Sequence, residues 1–160
     1  MSEAQQSIAE LIEALRDGDF QRRNEAAVAL GELGPEARES VPALTQALEA
    51  EDKYLRGHAA AALGKIGPGA RTAVPGLIRG LKDKDEDVRG EAAAALGYIG
   101  VEAKSAVGDL VELLKDENRA VRRQAATALQ TIDPETAARH LGFLPRLRRW
   151  FERNRLGKSR

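Results

Sequence analysis

The chain has 160 residues, of which 42% are hydrophobic and only 4% aromatic, and its 25 basic and 25 acidic residues give no net charge. It contains no cysteine, which excludes disulfides, thiolate metal sites and a cysteine nucleophile. No apolar run approaches the length of a membrane span, and the N-terminus lacks the features of a secretion signal, so we expect a soluble cytoplasmic protein.

The sequence repeats itself every 33 residues. Three similar segments, ALGELGPEARESVPALTQAL, ALGKIGPGARTAVPGLIRGL and ALGYIGVEAKSAVGDLVELL, begin at Ala29, Ala62 and Ala95. A fixed period of roughly 20 to 50 residues is typical of solenoids. The interval divides the chain into four units and a remainder; the units span 1–33, 34–66, 67–99 and 100–132.

Each unit is predicted to form two helices. In the second unit, Val41, Leu44 and Leu48 lie on one face of a first helix. A second apolar stripe with helical spacing follows, and it predicts the second helix: Leu55, Ala59, Ala62, Leu63 and Ile66. The unit is therefore a helical hairpin with an interior of small aliphatic side chains.

An acidic turn separates the two helices of each unit. An Asp or Asn ends the turn and is predicted to cap the second helix: Asp19, Asp52, Asp85 and Asn118. An arginine follows four residues later: Arg23, Arg56, Arg89 and Arg122. The spacing predicts an ion pair between each cap and its own arginine. Because this pair recurs in every unit, we interpret it as architecture and not as an active site.

Glycine and proline punctuate the repeat. Gly34, Gly67 and Gly100 follow the second helices and are predicted to end them with positive φ. Pro42 and Pro75 are predicted to start the next first helix after a short turn.

Residues 133–156 are predicted to form a C-terminal cap, followed by a flexible basic tail at 157–160. The segment LPRLRRWF would start a helix at Pro145, with Leu144, Leu147 and Phe151 turned inward. Alternatively, it forms a basic patch for an acidic membrane surface or a nucleic-acid backbone: Arg146, Arg148, Arg149, Trp150 and Arg153.

The unit VPALTQALEAEDKYLRGHAAAALGKIG and its copies resemble short HEAT-like repeats of the kind found in phycobilisome lyase subunits. The resemblance implies an all-α, right-handed α-solenoid of four 33-residue helical hairpins plus a C-terminal capping helix, spanning 1–156 as one domain. It also implies that the second helices line the concave side, which is the usual binding surface.

The outward positions of the second helices differ between units, while the apolar stripe does not. They predict a partner-binding face with a floor of small residues and two flanking tyrosines. Its residues are Tyr54, Gly57, His58, Ala61, Lys65, Asp87, Gly90, Glu91, Ala94, Tyr98, Arg123 and Gln124. Drift on a solvated face would give similar variation, so the pattern alone leaves both interpretations open.

No catalytic, metal or cofactor site is predicted. The two histidines, His58 and His140, lie in different units, and no glycine-rich phosphate loop is present. The favoured function is a non-enzymatic adaptor that binds another protein on the concave face. The resemblance allows a second function, a subunit of a bilin lyase. Nucleic-acid binding is opposed by acidic residues on the same face.

Overall fold

The computed structural model describes the backbone of residues 3–142 and the side chains of residues 7–142. This part of the chain is all-helical. Its α-helices are α1 (Glu3–Asp17), α2 (Phe20–Leu33), α3 (Val41–Ala47), α4 (Lys53–Ile66), α5 (Val74–Gly80), α6 (Glu86–Ile99), α7 (Val107–Leu113), α8 (Arg119–Ile132) and α9 (Pro134–Leu141). Short 3-10 segments precede α3, α5 and α7, at Gly34–Ser40, Gly67–Ala73 and Gly100–Ala106.

The helices form an α-solenoid, as the repeat predicts. The second helices α2, α4, α6 and α8 pack side by side in chain order, and each of the first helices α1, α3, α5 and α7 packs on its own second helix. One continuous core of Ala, Leu, Val and Ile runs between the two layers. The predicted stripe of the second unit is confirmed, since Leu44, Leu55, Leu63 and Ile66 are at most 1% exposed.

The predicted helix starts are confirmed by hydrogen bonds. The Asp52 carboxylate accepts the backbone N–H groups of Tyr54 and Leu55 at 3.0 Å each. Asp19, Asp85 and Asn118 cap α2, α6 and α8 in the same way. A cap of this kind contributes about 1 kcal/mol, because it satisfies N–H groups that lack a partner inside the helix.

The predicted helix ends are confirmed as well. Gly34, Gly67 and Gly100 have φ values of 57°, 70° and 76°, a region that residues with a Cβ rarely adopt. Each of these glycines begins a 3-10 segment, and Pro42 and Pro75 then stand in the first turn of α3 and α5. The chain thus reverses direction within seven residues.

A different set of glycines lets adjacent second helices approach closely. A Cβ atom added to Gly64 would lie 2.9 Å from the Cα atom of Ala95, which is closer than real Cβ contacts. The corresponding distances are 3.1 Å from Gly31 to Ala62 and 3.1 Å from Gly97 to Ala128. In the fourth unit the equivalent residue is Gln130, and it is exposed because α9, rather than another second helix, packs on α8.

The arginines pair differently from the sequence prediction, which was wrong about their partner. Arg56 donates from Nε and Nη2 to the carboxylate of Asp83, in the following unit, at 2.7 and 2.9 Å. Its Nη1 atom donates to the carbonyls of Ala50 and Glu51 in its own turn. The cap Asp52 is already engaged by N–H groups of α4, so the guanidinium reaches across the unit boundary instead.

Arg89 repeats this arrangement one unit further on. Its Nε and Nη2 atoms donate to Asp116 at 2.7 and 3.1 Å, and both side chains are at most 12% exposed. Each carboxylate also accepts a backbone N–H from its own turn. We call this series of pairs between units, Arg56–Asp83 and Arg89–Asp116, the arginine ladder.

The arginine ladder predicts a pH dependence of stability. The hydrogen bond from Arg89 holds the pKa of Asp116 below its ordinary value of 3.8, although burial acts against it. A lowered folded-state pKa contributes stability that is complete above the unfolded-state pKa and is lost as pH falls through the folded-state pKa. We expect the urea midpoint to fall between about pH 5 and about pH 2, and to fall less in Asp116→Asn. Equal losses in the two proteins would contradict this assignment.

The C-terminal end contains a helix that the sequence analysis did not predict. Asp133 accepts the Thr136 N–H at 3.1 Å and caps α9. Ala137 of α9 lies in the core. The predicted cap helix from Pro145 and the predicted tail at 157–160 lie outside the described residues. Within the described part, α9 packs on α8, the last of the second helices.

Candidate functional site

The candidate site is the surface of α2, α4, α6 and α8 that points away from the first helices; we call it the second-helix face. Tyr54 and Tyr98 are 59% and 71% exposed on it, although large apolar side chains are otherwise mostly buried in this protein. The small residues Gly57, Ala61, Gly90 and Ala94 lie between them and are partly buried. Lys65, Asp87, Glu91 and Arg123 are exposed around this floor, and Gln124 is partly buried.

The glycines of this face differ from those that pack between helices. A Cβ atom added to Gly57 would meet no atom within 4 Å, and one added to Gly90 would meet only Val121 Cγ2 at 3.9 Å. Both residues lie inside helices, where glycine costs about 1 kcal/mol relative to alanine. Packing therefore explains Gly64 but does not explain Gly57 or Gly90.

Tyr54 stands at the start of α4 beside a lysine. The Lys53 ammonium lies 5.3 Å from the centre of the Tyr54 ring, within the range of a cation–π interaction. The same ammonium forms a 2.9 Å ion pair with Asp85 of the following unit. Lys53 therefore contacts both the aromatic ring and a carboxylate of the next unit at this edge of the face.

Tyr98 and Lys65 lie at the opposite end of the second helices. The Tyr98 ring covers the close helix contact, with Cδ2 3.3 Å from the position that a Gly64 Cβ would take. Lys65 covers Gly31 in the same way, with its Cδ atom 3.5 Å away. Tyr98 and Lys65 thus cover the backbone at Gly64 and Gly31, while both side chains remain exposed to solvent.

A chain of hydrogen bonds orients His58. Asn24 Nδ2 donates to Asp52 Oδ2 at 3.0 Å and to the carbonyl of Phe20, which leaves Asn24 Oδ1 as an acceptor. His58 Nδ1 lies 2.9 Å from that oxygen and therefore carries the proton. In the neutral imidazole, Nε2 is then an acceptor for a partner's donor.

Glu91 occupies the position after His58 in the same row of the stack. Reduced solvation on the crowded face raises the pKa of Glu91, and the nearby Asp87 carboxylate raises it further. His58 and Lys65 act in the opposite direction. The nearby positive groups thus balance the negative charge of Glu91 only in part, so a cationic group of a partner could bind this carboxylate.

In the first unit, outward positions of α2 extend this face, although the predicted site residues begin at Tyr54. A shallow groove of about 290 Å³ lies between α2 and α4, lined by Asn24, Glu25, Val28, Ala29, Glu32 and His58. Val28 is 39% exposed, whereas the equivalent positions of later units hold Ala61, Ala94 and Thr127. The isolated valine among small residues was the available signal.

The remaining sequence predictions concern other regions. The basic patch of Arg146, Arg148, Arg149, Trp150 and Arg153 lies outside the described residues. Among the side chains of residues 7–142, no group of His, Asp or Glu has the arrangement of a metal site. Within the same range, every helix is too short or too polar to traverse a lipid bilayer.

Comparison with known proteins identifies the repeat. The family of HEAT repeats matches residues 8–97 and 74–144, which together include most of the chain. No curated protein matches this sequence.

Solved structures share the solenoid. An engineered protein is 29% identical with a TM-score of 0.67, over 79% of this chain and 62% of its own length. The complex of CpcE and CpcF of phycocyanin lyase from Nostoc sp. PCC7120 is 27% identical with a TM-score of 0.54, over 81% and 66%. A designed armadillo repeat protein in complex with the peptide (KR)4 has a TM-score of 0.69 over 80% and 65%, and its 20% identity indicates the fold alone. The chain spans 62% of the first of these structures.

Proposed function

Because this chain belongs to the HEAT-repeat family, we propose that it is a non-enzymatic adaptor that binds another protein along the second-helix face. The observation that carries the proposal is the open space in front of Gly57 and Gly90. Glycine at these two helix-interior positions lowers stability and brings no packing advantage within the protein. Glycine at these two positions would allow a segment of a partner protein to approach the helix backbone closely.

The surroundings of the two glycines support a protein partner. Tyr54 and Tyr98 offer exposed aromatic area, which is enriched at protein interfaces. His58 and Glu91 offer acceptors, and Lys65 and Arg123 offer donors, so a helix or loop with mixed polarity fits this face.

The other candidate functions have less support. A role in a bilin lyase rests on the likeness to the CpcE–CpcF complex, while the groove on the described second-helix face is shallow and holds only about 290 Å³. Nucleic-acid binding is disfavoured because Glu25, Glu32, Asp87 and Glu91 would repel phosphates.

Large side chains on the floor should abolish partner binding. We expect Gly57→Arg/Gly90→Arg to keep its helix content, because both positions face open space, and to lose partner capture by at least about tenfold, the equivalent of 1.4 kcal/mol. The measurement is capture from a lysate of the source organism, followed by titration of the captured protein against both variants.

Gly108→Arg is the matched control. Gly108 is also exposed with nothing within 4 Å of an added Cβ atom, but it lies on the first helix α7. It should capture the partner as the original chain does. Capture that is unchanged in Gly57→Arg/Gly90→Arg, or lost equally in Gly108→Arg, would refute the proposed face.

A further inference from the structure

The arginine ladder has a gap between the first two units. Arg56 pairs with Asp83 and Arg89 pairs with Asp116, each 27 residues further along the chain. The residue in the equivalent position for Arg23 is Ala50, which has no carboxylate. Among the described residues, Arg23 forms no ion pair, and its Nε donates instead to the carbonyl of Leu15 at 3.0 Å.

A cavity lies beside Arg23 at the same boundary. It has a volume of about 320 Å³ and is lined by Gly18, Phe20, Arg23, Asn24, Glu51, Asp52 and Leu55. At the next two boundaries, the equivalent guanidinium contacts the side chain of Asp83 or Asp116. The cavity therefore lies beside an arginine that lacks the carboxylate its counterparts bind.

The donors that bind the carboxylate elsewhere are present at the gap. Asp83 accepts from Arg56 and also from the backbone N–H of Asp85 at 2.9 Å, and Asp116 accepts the Asn118 N–H at 2.8 Å. At the gap, the corresponding groups are the Arg23 guanidinium and the N–H of Asp52, and that N–H has no acceptor among the described residues. An incoming carboxylate would meet both.

Acidic neighbours do not exclude a carboxylate from this place. Glu51 lines the cavity, and its equivalent in the fourth unit, Glu117, lies 3.9 Å from Arg89 while Arg89 binds Asp116. The occupied boundary thus holds two carboxylates near one guanidinium.

An exposed aromatic ring forms one wall. Phe20 is 62% exposed, and the equivalent positions of the later units are charged: Lys53, Glu86 and Arg119. The site therefore combines a cationic group with an apolar surface that has no counterpart at the other boundaries.

We propose that this cavity binds an Asp or Glu side chain of a protein partner, with a neighbouring apolar side chain of the partner on Phe20. The carboxylate takes the place that Asp83 and Asp116 occupy at the later boundaries. The cavity and the groove of the second-helix face share Asn24, but Gly90 and Tyr98 are not part of the cavity, so the two proposals can be tested separately.

The test uses the full chain with ¹⁵N labelling and follows the Arg23 Nε–H resonance during titration with acetyl-Gly-Leu-Asp-Gly-amide. We expect a saturable shift, and at least about tenfold weaker binding of the Asn counterpart of this peptide, since a charged hydrogen-bonding partner is lost. Ala50→Asp should abolish the shift by giving Arg23 a carboxylate from its own chain, and it should raise the unfolding temperature by about 2–4 °C through a completed ladder. Gly90→Arg should bind the peptide normally.

Three results would overturn the proposal. They are the absence of a saturable shift, equal binding of the Asp and Asn peptides, and equal binding by Ala50→Asp. A third peptide, acetyl-Gly-Leu-Gly with a free C-terminus, separates side-chain from main-chain carboxylates, and tighter binding of that peptide would overturn the assignment to a side chain. Loss of partner capture in Gly57→Arg/Gly90→Arg with normal peptide binding keeps the two proposals distinguishable.

Discussion

Replacing Arg56 by alanine is expected to lower the free energy of unfolding by about 3 kcal/mol. The Arg56 side chain is 8% exposed and donates four hydrogen bonds, two to Asp83 and two to carbonyls of its own turn. Its removal leaves the Asp83 carboxylate at the unit boundary with its guanidinium partner missing. Urea unfolding of the full chain, followed by circular dichroism, measures the change.

The control is an exposed pair at a similar place in the stack. Arg79 and Glu49 lie 2.8 Å apart but are 62% and 65% exposed, so Arg79→Ala should cost less than about 1 kcal/mol. Asp83→Ala and the double variant complete a thermodynamic cycle that isolates the pair energy. A loss in Arg56→Ala no larger than that in Arg79→Ala would show that the arginine ladder contributes little.

The second large effect concerns two glycines of the same helix. Gly64→Ala should lower the free energy of unfolding by about 2 kcal/mol, because the new Cβ atom would lie 2.9 Å from the backbone of Ala95. Gly57→Ala should raise it by up to about 1 kcal/mol, because the new methyl group meets nothing and the helix gains propensity.

Both variants add one methyl group to α4, so their difference reports packing alone. Thermal and urea unfolding of the two proteins should give shifts of opposite sign. Destabilisation by Gly57→Ala would show that this glycine has a structural role, and the main support for the adaptor proposal would then be lost.

Local features of this fold could be predicted from the sequence because they depend on residues only a few positions apart. Asp52 caps the helix that follows it, and Gly67 ends the helix that precedes it. The apolar stripe of each unit has helical spacing, so its burial also follows from the sequence. Helix caps and apolar stripes each depend on residues within a few helical turns, and the repeat shows the same pattern in several units.

Contacts between units could not be derived in the same way. Arg56 lies four residues after one aspartate and 27 residues before another, and only the geometry of the turn selects Asp83. The helix α9 was not predicted although Asp133 and Pro134 are good signals for a helix start, because the segment at Pro145 resembles the first helix of the repeat more closely.

The candidate site was predicted in outline, and the structure separates two kinds of glycine within it. Gly31, Gly64 and Gly97 recur in successive units and lie at close helix contacts, whereas Gly57 and Gly90 occur in two units and face open space. Both kinds of glycine recur at the 33-residue interval, so the contacts, and not the recurrence, distinguish packing from other roles. The orientation of His58 by Asn24 depends on side chains of two units, and no spacing in the sequence indicates it.

The contacts across each boundary also bear on how such a gene can change in length. Arg56 and Asp83, or Gly64 and Ala95, are separated by fixed numbers of residues, and the same separations recur at the next boundary. Duplication of the third 33-residue segment, 67–99, would therefore repeat both contacts at the new junction, because Asp83 and Ala95 of the copy would stand opposite Arg89 and Gly97. Gln130 could not take an interior place, since a glycine is needed there for the following helix to approach. The third unit can therefore be duplicated without loss of these contacts, whereas the fourth unit cannot.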